Sequence, residues 1–385
     1  MVLFTLNKYN EMKNSCHVCL SKKIKLLKDL SSLRLITSDC QPWDCKNIYY
    51  NCLECGIVGT LMTKNWARNC TRIYKNYNIY HQSNSHSEQK VFCEKTKKMM
   101  SRSDLILQIL KKSNFIKKSN KIKACEIGAG GGFFVKKLKK YLNKDNIFVF
   151  EKSKNNIIKL QKILEKENIY LSFGQKKIKF DRVILIHTFE HIAQPRLFLN
   201  TVAQYLGKSG KLFIQVPNSE SNPYLLCIAD HSVHYTKKTL QDTLRSANFK
   251  CEKIQYSFGK KEISGIFKYY PNFKQVTNIK PSTMSWADRH FRKIIRTKSF
   301  FEHLKRKVYL FGSSLGATWI LAKFPHKIIS LVDEDKARIG KKFFGKKIIP
   351  LNQLPANSLL FSTVKPTKFN QIRSKIKNKN CNLVS

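Results

Sequence analysis

Nowhere in the 385 residues does an uncharged apolar run approach the roughly 18 residues needed to cross a bilayer. The opening Met1-Val-Leu-Phe-Thr-Leu6 is also too short for a signal peptide, so the expected location is the cytoplasm, with no membrane partner. Acidic residues are scarce as well: 25 Asp and Glu stand against 72 Lys and Arg, a formal charge of +47. Such a charge raises nucleic acid or an anionic surface as a partner, because clustered cations release counterions when they meet phosphate. Clustering, however, is missing. Lys greatly outnumbers Arg and is spread over every segment beside abundant Asn and Ile, which resembles a compositional bias more than a binding footprint. Nucleic acid is therefore an unlikely partner, while a preference for anionic substrates stands. With 42% hydrophobic residues and 11% aromatics the chain can bury a substantial core, and its length suggests two or three domains.

One further absence narrows the chemistry. Lys121 to Glu151 reads as strand, glycine turn, helix, strand and acid, with Glu126-Ile-Gly-Ala-Gly-Gly-Gly132 at the turn and Phe148-Val-Phe150 before Glu151. Glycines at 128, 130 and 132 let the backbone turn sharply and approach a ligand, and an acid ending the next strand suits ribose hydroxyls. A dinucleotide fingerprint wants a glycine three positions after Gly130, where this chain has Phe133. Glu126 at the mouth of the loop would repel phosphate but suits a cationic or zwitterionic ligand such as a sulfonium amino acid. The segment resembles motif I of the class I S-adenosylmethionine-dependent methyltransferases; an ordinary strand-to-helix glycine turn is the plain alternative. Glu126, Gly128, Gly130 and Glu151 are the expected cofactor contacts.

Asp181 to His191 resembles the fourth strand of that family and the start of the next helix, and Lys211 to Asn218 its fifth strand. Between them, Leu197, Phe198, Val202 and Leu206 fall at helical spacing, and Gly207 and Gly210 mark the stop. Lys250 to Ser257 and Glu262 to Tyr269 read as closing strands. The predicted fold is α/β, a Rossmann-like doubly wound sheet. The resemblance places His187, Glu190 and His191 beside the cofactor, as walls of the site.

Half of the twelve cysteines lie between Cys16 and Cys55, which points to a local metal site rather than a disulfide scaffold. Cys16-His-Val-Cys19 and Cys52-Leu-Glu-Cys55 are two Cys-x-x-Cys knuckles able to present four thiolates to one tetrahedral Zn, read as structural because no coordination position is left open. Cys40 and Cys45 are alternative ligands, and a redox dithiol or plain buried thiols are the other readings.

A four-cysteine module ahead of such a core resembles the zinc-containing sugar C-methyltransferases and their relatives. In that group a Glu-His pair after the fifth strand, with a Tyr shortly before it, serves the chemistry on a nucleotide-linked keto sugar. The matching place here is Asp230-His231, with Asp where the group has Glu and Ile228 at the Tyr position. His231, oriented by Asp230, is the expected general base. An amphipathic Ser103 to Leu110 leads into the cofactor strand, after a stretch in which Tyr77 and Tyr80 offer rings and hydroxyls to a sugar or nucleotide.

A second strand and glycine turn, Val308-Tyr-Leu-Phe-Gly312-Ser-Ser-Leu-Gly316, followed by Ile328 to Asp333, suggests a smaller Rossmann-like domain. It resembles the C-terminal substrate domain of the same group, with Gly312 to Gly316 suited to phosphate and Asp333 to ribose. The expected organisation is a zinc-binding module with an active-site loop over 1–100, a methyltransferase core over 101–270, a connector over 271–306 and a Rossmann-like substrate domain over 307–385. Methyl transfer to a small molecule, foremost a nucleotide-linked keto sugar, is the expected function. Oxygen methylation, an NAD-type oxidoreductase and a zinc-dependent nucleic-acid-binding module are the alternatives.

Overall fold

The computed structural model describes residues 15–77, 88, 90–93, 96, 98–172, 178–273, 285–363, 366–376 and 380–384. Tyr80 falls outside them. The centre is a sheet of seven strands: β1 (Ala124–Ile127), β2 (Ile147–Phe150), β3 (Ile169–Tyr170), β4 (Phe180–Ile186), β5 (Leu206–Pro217), β6 (Phe249–Ser257) and β7 (Glu262–Tyr269). Their spatial order is β3-β2-β1-β4-β5-β7-β6, parallel except for β7, which runs antiparallel to β5 and to β6. Strands β1 and β2 are buried at every residue, as expected of parallel strands covered on both faces. The order reverses at β1, so the carboxyl ends of β1 and β4 open the crevice where ligands of such sheets bind.

One sequence expectation is corrected here. The helix ends at Tyr205 and the chain passes directly into β5 at Leu206, earlier than the expected Lys211. Gly207 and Gly210 therefore belong to the strand. A Cβ on Gly210 would sit 2.9 Å from the carbonyl oxygens of Phe180 and Gly207, so this glycine serves close backbone approach at the irregular start of the β4–β5 pairing.

The N-terminal module is not closed on itself. Its sheet pairs Ile24–Leu26, Tyr49–Cys52 and Val58–Thr60 with Val233–His234, which comes from the loop after β5. A second sheet of six strands, with Val308–Phe311 and Ile328–Val332 at its middle, forms the C-terminal unit. The helix Ser285–His303 buries Trp286, Ile294 and Phe301 in a core shared with Leu27, Tyr49, Tyr224 and Trp319. Among the described residues no helix is long and apolar enough to cross a membrane.

Candidate active site

The cofactor turn is built where β1 meets the helix Phe133–Leu138. Gly128, Gly130 and Gly132 take φ of +76°, +54° and +75°, a region in which side-chain-bearing residues are strained. A Cβ on Gly128 would lie 2.5 Å from the Thr188 hydroxyl oxygen, and one on Gly132 would press on Ile163 and Leu160. At Gly130 a Cβ would meet nothing within 4 Å among the described residues, which leaves a cradle open beside the main chain. Glu151, just past β2, accepts from the amides of Gly130, Lys152 and Ser153, each at 2.8 Å. The acid is thus fixed as an acceptor at the carboxyl end of the sheet.

Glu126 is buried, and among the described residues its Oε2 has no hydrogen-bond partner. Burial, reinforced by the negative charges of Glu151 and Glu88, raises its carboxyl well above the usual range. A cationic amine or sulfonium would relieve that cost. The open cradle, the orphaned carboxylate oxygen and the fixed Glu151 together fit an adenosyl cofactor bearing a charged amino-acid end.

Beyond β4 the chain turns through His187, a non-glycine residue at φ +49° whose amide donates to the Gln215 carbonyl at 2.9 Å. Its Nε2 lies 3.1 Å from Glu262 Oε1, its Nδ1 lies 3.3 Å from Glu190 Oε1, and the Arg102 guanidinium bonds both His187 and Glu262. Burial alone would lower His187, but the Glu262 charge and its bonds to Glu190 and Glu262 raise it. Glu262 stays low despite burial because Arg102 and His187 face it. Nothing in the sequence marked Arg102 or Glu262, which meet only when β7 folds beside β5.

The acceptor side is assembled around Asp230, and here the structure departs from expectation. The Asp230 carboxylate accepts from the Ser38 amide (2.9 Å), the Ser38 hydroxyl (2.6 Å) and the Tyr74 hydroxyl (3.2 Å), and it lies 3.3 Å from His191 Nδ1. Asp230 thus orients His191 rather than His231. Burial would raise the acid and lower the imidazole, yet their mutual bond and attraction leave Asp230 below and His191 above their ordinary values. His231 meets His191 edge to face at 4.8 Å between ring centroids, and its carbonyl accepts from Thr60. Burial first, then the neighbouring His191 and His234, push His231 well below the usual imidazole range. Donor atoms of Glu190, His191 and His231 all lie within 4.8 Å of one another, so the three groups face one space. Tyr77 reaches Asp230 through Ser38, its hydroxyl lying 3.2 Å from the Ser38 Oγ that donates to the carboxylate.

In the N-terminal module the four thiol sulfurs of Cys16, Cys19, Cys52 and Cys55 lie within 4.8 Å of one another. Cys16 to Cys55 is 3.7 Å and Cys19 to Cys52 is 3.5 Å. Hydrogen bonds among them lower Cys19 and Cys52 while raising Cys16 and Cys55, as when thiols share protons in a space one tetrahedral cation would satisfy. Cys40 and Cys45 are not part of this group.

Residues 97–254, spanning the whole cofactor crevice, match a family model described as a methyltransferase domain. This part of the chain is a methyltransferase domain. Solved structures similar to this methyltransferase include S-adenosylmethionine-dependent enzymes from three bacteria. The one from Mesorhizobium loti is 10% identical over 40% of this chain and 94% of its own, with a TM-score of 0.35. For Clostridium acetobutylicum the values are 10%, 43%, 90% and 0.35, and for Aquifex aeolicus 14%, 51%, 97% and 0.35. No curated protein matches the methyltransferase by sequence.

Proposed function

We propose that the enzyme methylates a carbon of a nucleotide-linked keto sugar, with His231 taking the proton. The observation that carries this reading is the neutral, buried imidazole of His231 facing the same space as Glu190 and His191, at the carboxyl end of the sheet that holds the cofactor turn. Support for the sugar comes from the four-cysteine module ahead of the core and the Rossmann-like unit after it.

Bound S-adenosylmethionine supplies an already activated methyl group, so the chain's part is to hold it, position the acceptor and manage one proton. Gly128 and Gly130 shape the cradle, Glu151 holds ribose hydroxyls and Glu126 meets the amino-acid end. His231, kept unprotonated by its surroundings, accepts the proton from the carbon beside the ketone. The electron pair released from the C–H bond would go to the methyl group, with the cofactor's thioether as the leaving group. The positive charge gained by His231 is drawn toward ionised Asp230. His187, Glu190 and His191 line this space, and Tyr77 joins it through Ser38. Zn in the four-cysteine site would hold the module that presents the catalytic loop.

The test is incubation with methyl-labelled S-adenosylmethionine and a panel of nucleotide-linked sugars, keto and hydroxyl, followed by mass fragmentation. Label on carbon of a keto sugar, with turnover lost in His231→Ala while cofactor binding persists, is the expected result. Label on oxygen moves the enzyme to sugar O-methylation.

A further inference from the structure

The loop that carries Asp230 and His231 owes its shape to the N-terminal module rather than to the sheet it leaves. Tyr49 donates to the Leu226 carbonyl at 2.6 Å, Asn47 to the Ala229 carbonyl at 3.0 Å, and Thr60 to the His231 carbonyl at 3.0 Å. Val233 and His234 then pair with Gly59 and Val58 as a strand of the module's own sheet. These contacts fix the main chain. Asp230 alone has its functional carboxylate held as well, and the residue that holds it twice is Ser38.

We propose that Ser38 is a positioning residue for the acceptor chemistry, locking the Asp230 carboxylate against His191 so that the His191 ring stands at a fixed angle to His231. This rests on the reading of Asp230, His191 and His231 given above. Ser38 Oγ donates to Asp230 Oδ2 at 2.6 Å while its amide donates to Oδ1 at 2.9 Å. Two donors from one residue fix both oxygens and therefore the plane of the carboxylate. Tyr74 Oη shares Oδ2 at 3.2 Å, and His191 Nδ1 faces that oxygen at 3.3 Å. His191 Nδ1 also lies 2.9 Å from the Asp230 carbonyl oxygen, so the ring is held at one nitrogen by both parts of one residue. With Asp230 1% exposed, each of these four groups comes from the protein. The carboxylate is a fixed support, and the shorter Asp side chain suits that role because Ser38 comes to meet it.

The experiment uses the full-length enzyme, histidine-labelled with 15N and saturated with S-adenosylhomocysteine, so that positioning is read without an acceptor. In the wild type the His191 Nδ1 proton should give an exchange-protected resonance. It should move upfield in Ser38→Ala and in Asp230→Asn, where the Asp230 carbonyl is left as the main acceptor, and return in Ser38→Thr, which restores the hydroxyl. S-adenosylhomocysteine affinity and melting temperature, measured alongside, should remain at wild-type values in Ser38→Ala. A resonance at its wild-type position in Ser38→Ala overturns the proposal, as does loss of cofactor affinity or fold in that variant.

Turnover of a nucleoside-diphosphate-linked keto sugar then separates the two levels of the argument. Ser38→Ala should lower kcat about tenfold with cofactor KM unchanged, as for one lost hydrogen bond to a charged group. The double variant Ser38→Ala, Asp230→Asn should be no slower than Asp230→Asn alone, because the residues act as one unit. If Asp230→Asn is slow and Ser38→Ala is not, the positioning role falls and the catalytic reading stands. If Asp230→Asn turns over normally, both fall.

Discussion

The chain contains two strand-glycine-helix-strand-acid segments, and their contrast teaches what such a pattern is worth. In the first, Glu151 accepts main-chain amides alone among the described residues, and the open space at Gly130 lies beside it. In the second, Asp333 accepts the amide and hydroxyl of Ser313 at 3.0 and 2.8 Å, with Arg338 at 3.8 Å and bonded in turn to Ser313. A Cβ on Gly316 would lie 2.7 Å from both Thr363 and Tyr224, so that glycine is spent on packing the helix Leu315–Lys323. Gly312 repeats the turn, at φ +82°, with no acid corresponding to Glu126 two residues before it: Leu310 stands there. The same sequence pattern therefore leaves open space beside Gly130 in one unit and ties its acid to a neighbouring side chain in the other.

The sharpest way to break this contrast is to remove each acid in turn. Glu151→Ala should weaken S-adenosylhomocysteine binding by about 100-fold, the loss of hydrogen bonds to a charged group, measured by calorimetry. Asp333→Ala should leave that affinity unchanged. Equal losses in the two variants would mean that the second turn takes part in cofactor binding.

Substituting the glycines comes next. Gly316→Ala should cost about 1–3 kcal/mol of stability through overpacking against Tyr224 and Thr363, with cofactor affinity intact. Gly130→Ala should cost only about 1 kcal/mol, from its left-handed backbone, yet block the cradle. Denaturant unfolding paired with binding isotherms would expose the contrast as mistaken if the two variants behaved alike.

A pH titration probes Glu126, which the second turn lacks. Its carboxyl is raised by burial, so below that raised pKa a cationic ligand must displace a proton, and above it the ionised acid is ready. Affinity for S-adenosylmethionine should therefore rise with pH through a range well above that of ordinary carboxylates. Glu126→Gln should flatten the profile; a profile unchanged by that substitution would remove Glu126 from the binding site. The smallest effect belongs to Arg338→Ala, which should destabilise the C-terminal unit by about 1 kcal/mol by freeing Ser313 and Asp333, without altering turnover. A fall in kcat there would assign the C-terminal turn a working role.

The cofactor half of the site was legible because its parts lie within one short segment: backbone freedom at three glycines and an acid at the next strand end are local properties. The cysteine knuckles were legible for the same reason, since two ligands per knuckle are fixed by spacing alone. The acceptor half was only partly so. Asp230, His231, His191 and Tyr77 were singled out, and Tyr74 lies in the same tyrosine-rich stretch, but the pairing of Asp230 with His191 was not foreseen, and Ser38, Arg102 and Glu262 carried no signal. Ser38 stands 192 residues from Asp230, and no periodicity or spacing rule reaches that far.

By itself the sequence determined the methyltransferase sheet, the cofactor turn and the four-cysteine cluster, because local backbone preference and hydrophobic period decide those features. Only the tertiary structure decided which histidine Asp230 supports, that Gly207 and Gly210 belong to a strand, and that Asp333 is tied to Ser313 and Arg338. Those outcomes depend on which polar groups are buried together. A buried carboxylate takes whatever donors the packing of distant segments brings to it.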